Sequence, residues 1–169
     1  IFDGLWFRPR IDLDVLRKHR EGIFCLTGTE YGAIRRNQEI SNRERIQRLG
    51  EIFGDRLFCE LSDQGLPWQP AWCAQVRETA RHFGLRCVVG NDVRYVDPKD
   101  VVVLETLNCV ALGASLDDRN RPRHRTDQQY LKSEEEIRSI FPEEDAAISL
   151  TNELAHQAKF KFASNVYYF

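Results

Sequence analysis

Methionine is absent from all 169 residues, and the chain opens on Ile1. That combination reads as a fragment or processed product of a longer reading frame. Long apolar runs are missing as well. No stretch approaches the ~18 consecutive apolar residues of a membrane span, and no basic-then-apolar signal segment stands at the start, so membrane is not an expected partner. Charge of one sign is lacking: 24 Lys and Arg oppose 26 Asp and Glu, for a formal net charge of -2. No global field therefore drives the chain onto nucleic acid, and any DNA contact must come from a local patch. Neither the glycine-rich dinucleotide fingerprint nor a phosphate-loop pattern occurs, which disfavours a nucleotide-cofactor fold. Five cysteines are present (Cys25, Cys59, Cys73, Cys87 and Cys109) without a C-x-x-C pair. Their odd number and wide spacing argue against a disulfide framework or zinc site. Cys25, Cys59 and Cys87 sit in apolar strand-like runs, where a free thiol behaves as a small hydrophobe. A reducing cytoplasm is the expected location.

What is present is an alternation of apolar periods. Ile11 to His19 carries Ile11, Val15 and Leu16 at helical spacing. Glu21-Gly22 ends that helix, and Ile23-Phe24-Cys25-Leu26 follows as a buried strand running into Thr27-Gly28-Thr29. Arg43 to Phe53 places Ile46, Leu49, Ile52 and Phe53 on one helical face, and Gly54-Asp55 turns the chain into a strand at Leu57 to Leu61. Pro67 opens a third helix that runs to about Phe83, with Gly84 just past its end. A strand from Leu85 to Gly90 comes next, then a helix from Pro98 to about Val110. Continuous apolar strands between amphipathic helices imply a parallel sheet covered on both faces, either part of a TIM-like barrel or an open doubly wound sheet. Beyond Gly113 the texture turns polar. Ser133 followed by Glu136 is a capping box that opens a helix ending near Phe141. Pro142 and the acids after it start another, to about Ala158, before a short aromatic stretch from Phe160 to Phe169.

Strand ends in an α/β protein are where chemistry is placed, and Asn91-Asp92-Val93-Arg94-Tyr95 is such an end. It resembles the N-D-V-H-Y strand end of the PHP domain in bacterial replicative DNA polymerases, the DNA polymerase III alpha-subunit family. Further stretches match that family in order. Gly4 to Asp12 resembles G-F-Y-Y-K-P-R-I-D, and Glu21 to Thr29 resembles E-G-L-I-A-L-S-G-C. Ile52 to Arg56 reads I-F-G-D-R, followed by Cys59-Glu60-Leu61 for an L-E-L strand, then Pro98-Lys99-Asp100. Tyr130 to Glu136 resembles F-Y-L-K-S-P-E-E-M. The likeness is colinear over roughly residues 3 to 160.

The resemblance implies an α/β fragment, the second half of a distorted TIM-like PHP barrel over residues 1–130. A helical junction to the polymerase region would follow over 131–169. It implies that the first half of the domain, with its paired histidines, and the magnesium-binding carboxylates of nucleotide addition lie elsewhere in the parent. This segment alone is not expected to polymerise DNA. Three family metal-ligand positions fall inside the chain. The Cys position is Thr29, the Asp position is Asp92, and the second His position is Arg94. A hydroxyl is a weak neutral ligand and a guanidinium is permanently cationic, so Asp92 is the remnant of a degenerate site. Arg94 either replaces the metal's charge, pairing with Asp92 or a phosphate group, or closes a relic site as a plain salt bridge. No cofactor is expected for the segment. Zinc or manganese would belong to an active PHP site, and magnesium to the parent polymerase.

Several residues have competing uses. Glu60, Asp63 and Gln64 follow a strand and would face the same crevice, but carboxylates there commonly serve as turn formers. His19, His82, His124 and His156 have no spacing that suggests a site. Arg119, Arg121, Arg123 and Arg125 alternate along a loop. They can grip DNA phosphates or pair with Glu134–Glu136 and Glu143–Asp145, and near-neutral total charge favours pairing or solvation. Trp6, Phe7, Trp68 and Trp72 are read as core before docking face. The expected function is a fragment of a replicative or error-prone polymerase alpha subunit. It would act as a scaffold that meets the remainder of the polymerase chain and a proofreading exonuclease subunit, with DNA as a further candidate. Two alternatives are a metal-dependent 3′–5′ exonuclease or phosphoesterase of the PHP type and a stand-alone interaction module. Half a barrel would expose sheet edges, so self-association of the isolated chain is expected.

Overall fold

In the computed structural model, residues 5, 6, 8, 9, 11–121 and 123–161 are described. A two-residue hairpin, β1 (Leu5–Trp6) against β2 (Arg8–Pro9), precedes helix α1 (Leu13–Lys18). Asp12 caps α1, its carboxylate accepting from the Val15 amide at 2.8 Å. The motif residues Gly4, Phe7 and Arg10, and the aromatic stretch from residue 162, lie outside the described residues.

Three parallel strands form the sheet in the order β3-β4-β5: β3 (Cys25–Leu26), β4 (Leu57–Leu61) and β5 (Arg86–Val89). Helix α2 (Glu39–Phe53) connects the first pair and α3 (Gln69–Phe83) the second. β4 is central and its Leu57, Phe58, Cys59 and Leu61 are each no more than 1% exposed. Alternation along it splits the core. Leu57, Cys59 and Leu61 pack with Trp72, Cys73 and Val76 of α3 and with Ile46, Ile52 and Phe53 of α2. Phe58 faces the other way, with Val88 and with Leu150 of helix α6 (Asp145–Gln157). Both faces are covered, as continuous apolar strands require.

Trp72 anchors the larger cluster: its indole N–H donates to the Ile34 carbonyl at 3.1 Å. Trp68 is only partly buried against that cluster and stacks under the Arg36 guanidinium at 4.5 Å. Gly84 ends α3 in the left-handed region at φ 64°, and Leu85 N–H donates back to Ala80 O at 2.8 Å, a Schellman closure. Cys59 and Cys87 are in register across β4 and β5. Burial, with the Cys87 sulfur beside it, pushes the Cys59 thiol up to about 12. All five cysteines are free.

α2 begins four residues before the expected Arg43, at Glu39. Its first turn shows no apolar stripe because Ile40 is 80% exposed while the polar Asn42 is 2% exposed. The Asn42 amide braces the preceding loop, donating to Arg35 O at 2.7 Å and accepting from Arg35 N at 2.9 Å. β3 is shorter than the expected run from Ile23, because Gly22 at φ 70° and the Ile23 N–H to Arg20 O bond hold Ile23 in a turn. The outer edge of β5 meets α6 at Val89: Thr151 Oγ1 accepts from Val89 N at 2.9 Å, and its hydroxyl lies within donating reach of Ala147 O at 2.9 Å and Val89 O at 3.2 Å.

A 3₁₀ turn at Pro98–Asp100 leads into α4 (Val101–Leu112), where Cys109 is the buried residue. The loop after α4 returns to the sheet. Arg94 N donates to Gln129 O at 2.8 Å, and Tyr95 bridges Tyr130 in parallel. The expected capping box opens α5 (Glu134–Ile140), with Ser133 and Glu136 bonding each other's backbone amides at 3.2 and 2.7 Å. No helix among the described residues is long and apolar enough to cross a membrane.

Candidate functional site

Parallel strands bring their C-terminal ends to one side of the sheet. Thr27 to Thr29 leave β3 there, Ser62 to Gln64 leave β4, and Gly90 to Arg94 leave β5. The loop after β3 is tightly wound: Gly32 N donates to Thr29 O and Ala33 N to Thr27 O, both at 2.8 Å. A Cβ at Gly32 would overlap the Thr27 carbonyl. After β5, Gly90 lies flush against the Glu60 side chain, and a Cβ there would overlap its carboxylate. Two residues on, Asp92 adopts φ 44°, a left-handed conformation that Asp tolerates better than most residues.

That backbone excursion sets Asp92 among donors. Arg94 Nη2 lies 3.0 Å from Asp92 Oδ1 and 3.2 Å from Oδ2, and Gln129 Nε2 donates to Oδ2 at 2.7 Å. One guanidinium nitrogen thus straddles both oxygens, rather than two nitrogens forming a fork. Glu60 feels the same neighbourhood from β4. Burial, with the negative Asp92 nearby, holds its carboxyl above the usual carboxylate range.

Thr29, Asp92 and Arg94, the three positions singled out by the resemblance, all line one cleft of about 420 Å³. On donor chemistry they do not fit a resident zinc or manganese ion. The set is one hydroxyl, one carboxylate already holding two N–H donors, and one cation. Among the described residues no three His, Cys, Asp or Glu side chains converge as a ligand set. Asp63 serves as a turn former, accepting from Gly65 N at 2.8 Å. Gln64 lines the cleft, and its backbone and side chain interlock with Gln69.

The arginine loop contributes to the same cleft. Arg123 and Arg125 line the cleft, as does His124, which spacing alone did not distinguish from the other histidines. Arg119 is exposed. Arg121 is committed elsewhere: its Nη2 pairs with Glu105 Oε2 of α4 at 2.8 Å, with side chains only 7% and 19% exposed. The hydrogen bond from Arg121 holds the Glu105 carboxyl below its ordinary range. The expected pairing with the later acidic runs is therefore corrected. Glu134 and Asp145 both pair with Arg138, and Glu144 takes Arg77 at 2.6 Å. The loop folds back on the helix that precedes it, which makes Glu105 the nearer acid. Glu105 Oε1 also accepts from His124 N at 3.3 Å, and Thr126 Oγ1 donates to Gln64 O at 2.8 Å. His124 and Thr126, the described neighbours of Arg123 and Arg125, are each held by a hydrogen bond.

No protein-family model matches the chain. Similar sequences are DNA polymerase III subunit alpha from Thermus aquaticus, 36% identical over 148 residues, and from Escherichia coli K12, 35% identical over 151. The same subunit from Treponema pallidum is 31% identical over 145 residues. These matches cover 83–87% of the chain but only 12–13% of the relatives' length. The colinear motifs and the matched stretch agree, and over that stretch the chain belongs to the DNA polymerase III alpha-subunit family.

Proposed function

We propose that this chain is a scaffold region of a DNA-directed DNA polymerase, formed by the second half of a PHP barrel whose metal site has been converted into an ion-paired strand end. The Asp92–Arg94 contact carries this reading, because a guanidinium at 3.0 Å gives the carboxylate a counter-charge of the sign a metal ion would supply. Arg94 stays cationic at every working pH and offers Asp92 a partner that needs no metal ion. The three parallel strands support the barrel reading as consecutive staves, with residues 1–130 as the domain and 131–169 as the junction to the polymerase region. Here α6 of the junction packs directly on the sheet through Ile148 and Leu150. The rest of the polymerase polypeptide, with its magnesium-dependent nucleotidyl transfer, is the partner the scaffold serves in a reducing cytoplasm. A proofreading exonuclease subunit is a second partner, for which the exposed apolar face of α4 supplies surface.

The test uses the intact polypeptide that carries this segment. Metal content after dialysis, and nuclease activity with added manganese or zinc, are measured for wild type and Asp92→Ala. The expected result is no bound transition metal and no activity that depends on Asp92. A stoichiometric metal ion lost on Asp92→Ala would overturn the reading in favour of a PHP-type phosphoesterase.

A further inference from the structure

The arginine loop and the positions Thr29, Asp92 and Arg94 are far apart in sequence, yet they line one cleft. From this we infer that the cleft is an oxyanion site that takes a phosphoryl group directly on Arg94, Arg123 and Arg125. The inference rests on the converted-site reading above, since a resident divalent cation beside Asp92 would leave Arg94 no place there.

Charge comes first. Three guanidinium groups line the cleft against two carboxylates, Asp92 and Glu30. Asp92 is already balanced by Arg94. Neither Arg123 nor Arg125 makes an ion pair among the described residues, although both are exposed and free to turn toward the cleft. Donor geometry comes second. Guanidinium groups present planar forks that match phosphate oxygens, and Thr29 and Gln129 add polar side chains to the same lining. At about 420 Å³ the space falls within the range of small-ligand clefts, and suits a pyrophosphate or a terminal phosphate group.

Preorganisation is the third support. Arginines on a free loop would lose much of their binding energy to ordering. Here Glu105 holds Arg121 at 2.8 Å and the His124 amide at 3.3 Å, and Thr126 is tied to the β4 exit through Gln64 O at 2.8 Å. The backbone is tied at His124 and Thr126, next to Arg123 and Arg125, before any anion arrives. Glu105 is therefore a positioning residue for the site. It is held ionised by Arg121 and, as a negative group, is kept out of the cleft by that pairing.

The experiment titrates the intact polypeptide, with and without EDTA, with inorganic phosphate and with pyrophosphate by calorimetry. A short single-stranded oligodeoxynucleotide is titrated separately by fluorescence anisotropy. Binding that survives EDTA and weakens at least about tenfold in Arg123→Ala/Arg125→Ala is expected, the loss for charge-assisted hydrogen bonds. Glu105→Gln should weaken it less, with rescue by Glu105→Asp, and a thermal melt confirms that each variant is folded. Phosphate or pyrophosphate binding alone assigns the site to a free oxyanion. Oligonucleotide binding that phosphate competes away assigns it to a phosphodiester of DNA. Binding abolished by EDTA would overturn this inference and the converted-site reading together. Absence of binding in a folded wild type, or binding indifferent to the double variant, would overturn the inference alone.

Discussion

β4 and α4 are both dominated by apolar residues, and they end in opposite surroundings. Along β4, Leu57, Phe58, Cys59 and Leu61 are essentially sealed. Along α4, Val103 is 57% exposed, Leu107 60% and Val110 74%, three positions that fall on one stripe of the helix. The other side of α4 does local work: Glu105 holds the arginine loop, Leu104 and Asn108 line the cleft, and Cys109 is buried. Burial in β4 follows from neighbours on both sides and both faces. α4 has the sheet's loops on one side and an uncovered apolar stripe on the other. Apolar composition thus marks what a segment is suited to touch, not what it touches within this chain. An uncovered stripe of this kind marks a surface for another polypeptide.

The sharpest way to break the comparison is through the core that β4 shares with α3. Trp72→Ala should lower unfolding free energy by about 3–5 kcal/mol, read by denaturant titration, because it empties the space against Leu61 and Ile34 and orphans the Ile34 carbonyl. A loss below ~1 kcal/mol would mean that this layer is no better packed than α4. Next in size is Gly90→Ala. The new Cβ must displace the Glu60 carboxylate, and a cost of about 1–3 kcal/mol is expected for such overpacking.

Glu60 itself gives a pH signature. Burial raises its folded pKa above the ordinary 4.5. Its contribution is fully present below that value and is lost as pH rises through the raised folded pKa. Wild-type stability relative to Glu60→Gln should therefore fall across that window, no more steeply than about 1.4 kcal/mol per pH unit, the limit for one proton. A difference that is flat with pH would place Glu60 in water. The smallest effect belongs to α4. Leu107→Lys should change stability by less than about 0.5 kcal/mol, while shifting sedimentation of the isolated chain toward monomer. Equal destabilisation by Leu107→Lys and Trp72→Ala would erase the distinction between the two regions.

The parallel sheet was readable because its signals are local. Leu57 to Leu61 is apolar at every position but Glu60, Gly84 takes the left-handed turn its position calls for, and Ser133 with Glu136 forms the expected cap. The first turn of α2 was hidden because its inward residue is Asn42 and its outward one Ile40, the reverse of an apolar stripe. Asp92 and Arg94 were readable as neighbours, being two apart on one strand end. The rest of their cleft was not, since Arg123 and Arg125 reach it only through Glu105 and Thr126. Nothing in the spacing of those residues predicts which carboxylate Arg121 chooses.

The free thiols carry a consequence of their own. A thiol held near 12 has almost no thiolate at neutral pH, so Cys59 stays dark to alkylating reagents while β4 keeps both neighbours. Cys109 is shielded by a different layer, as the inward residue of α4. The chain therefore contains two chemical stopwatches, one set in the sheet and one in the outer helix. The order in which mass spectrometry finds them modified would record whether α4 peels away while the sheet is still closed.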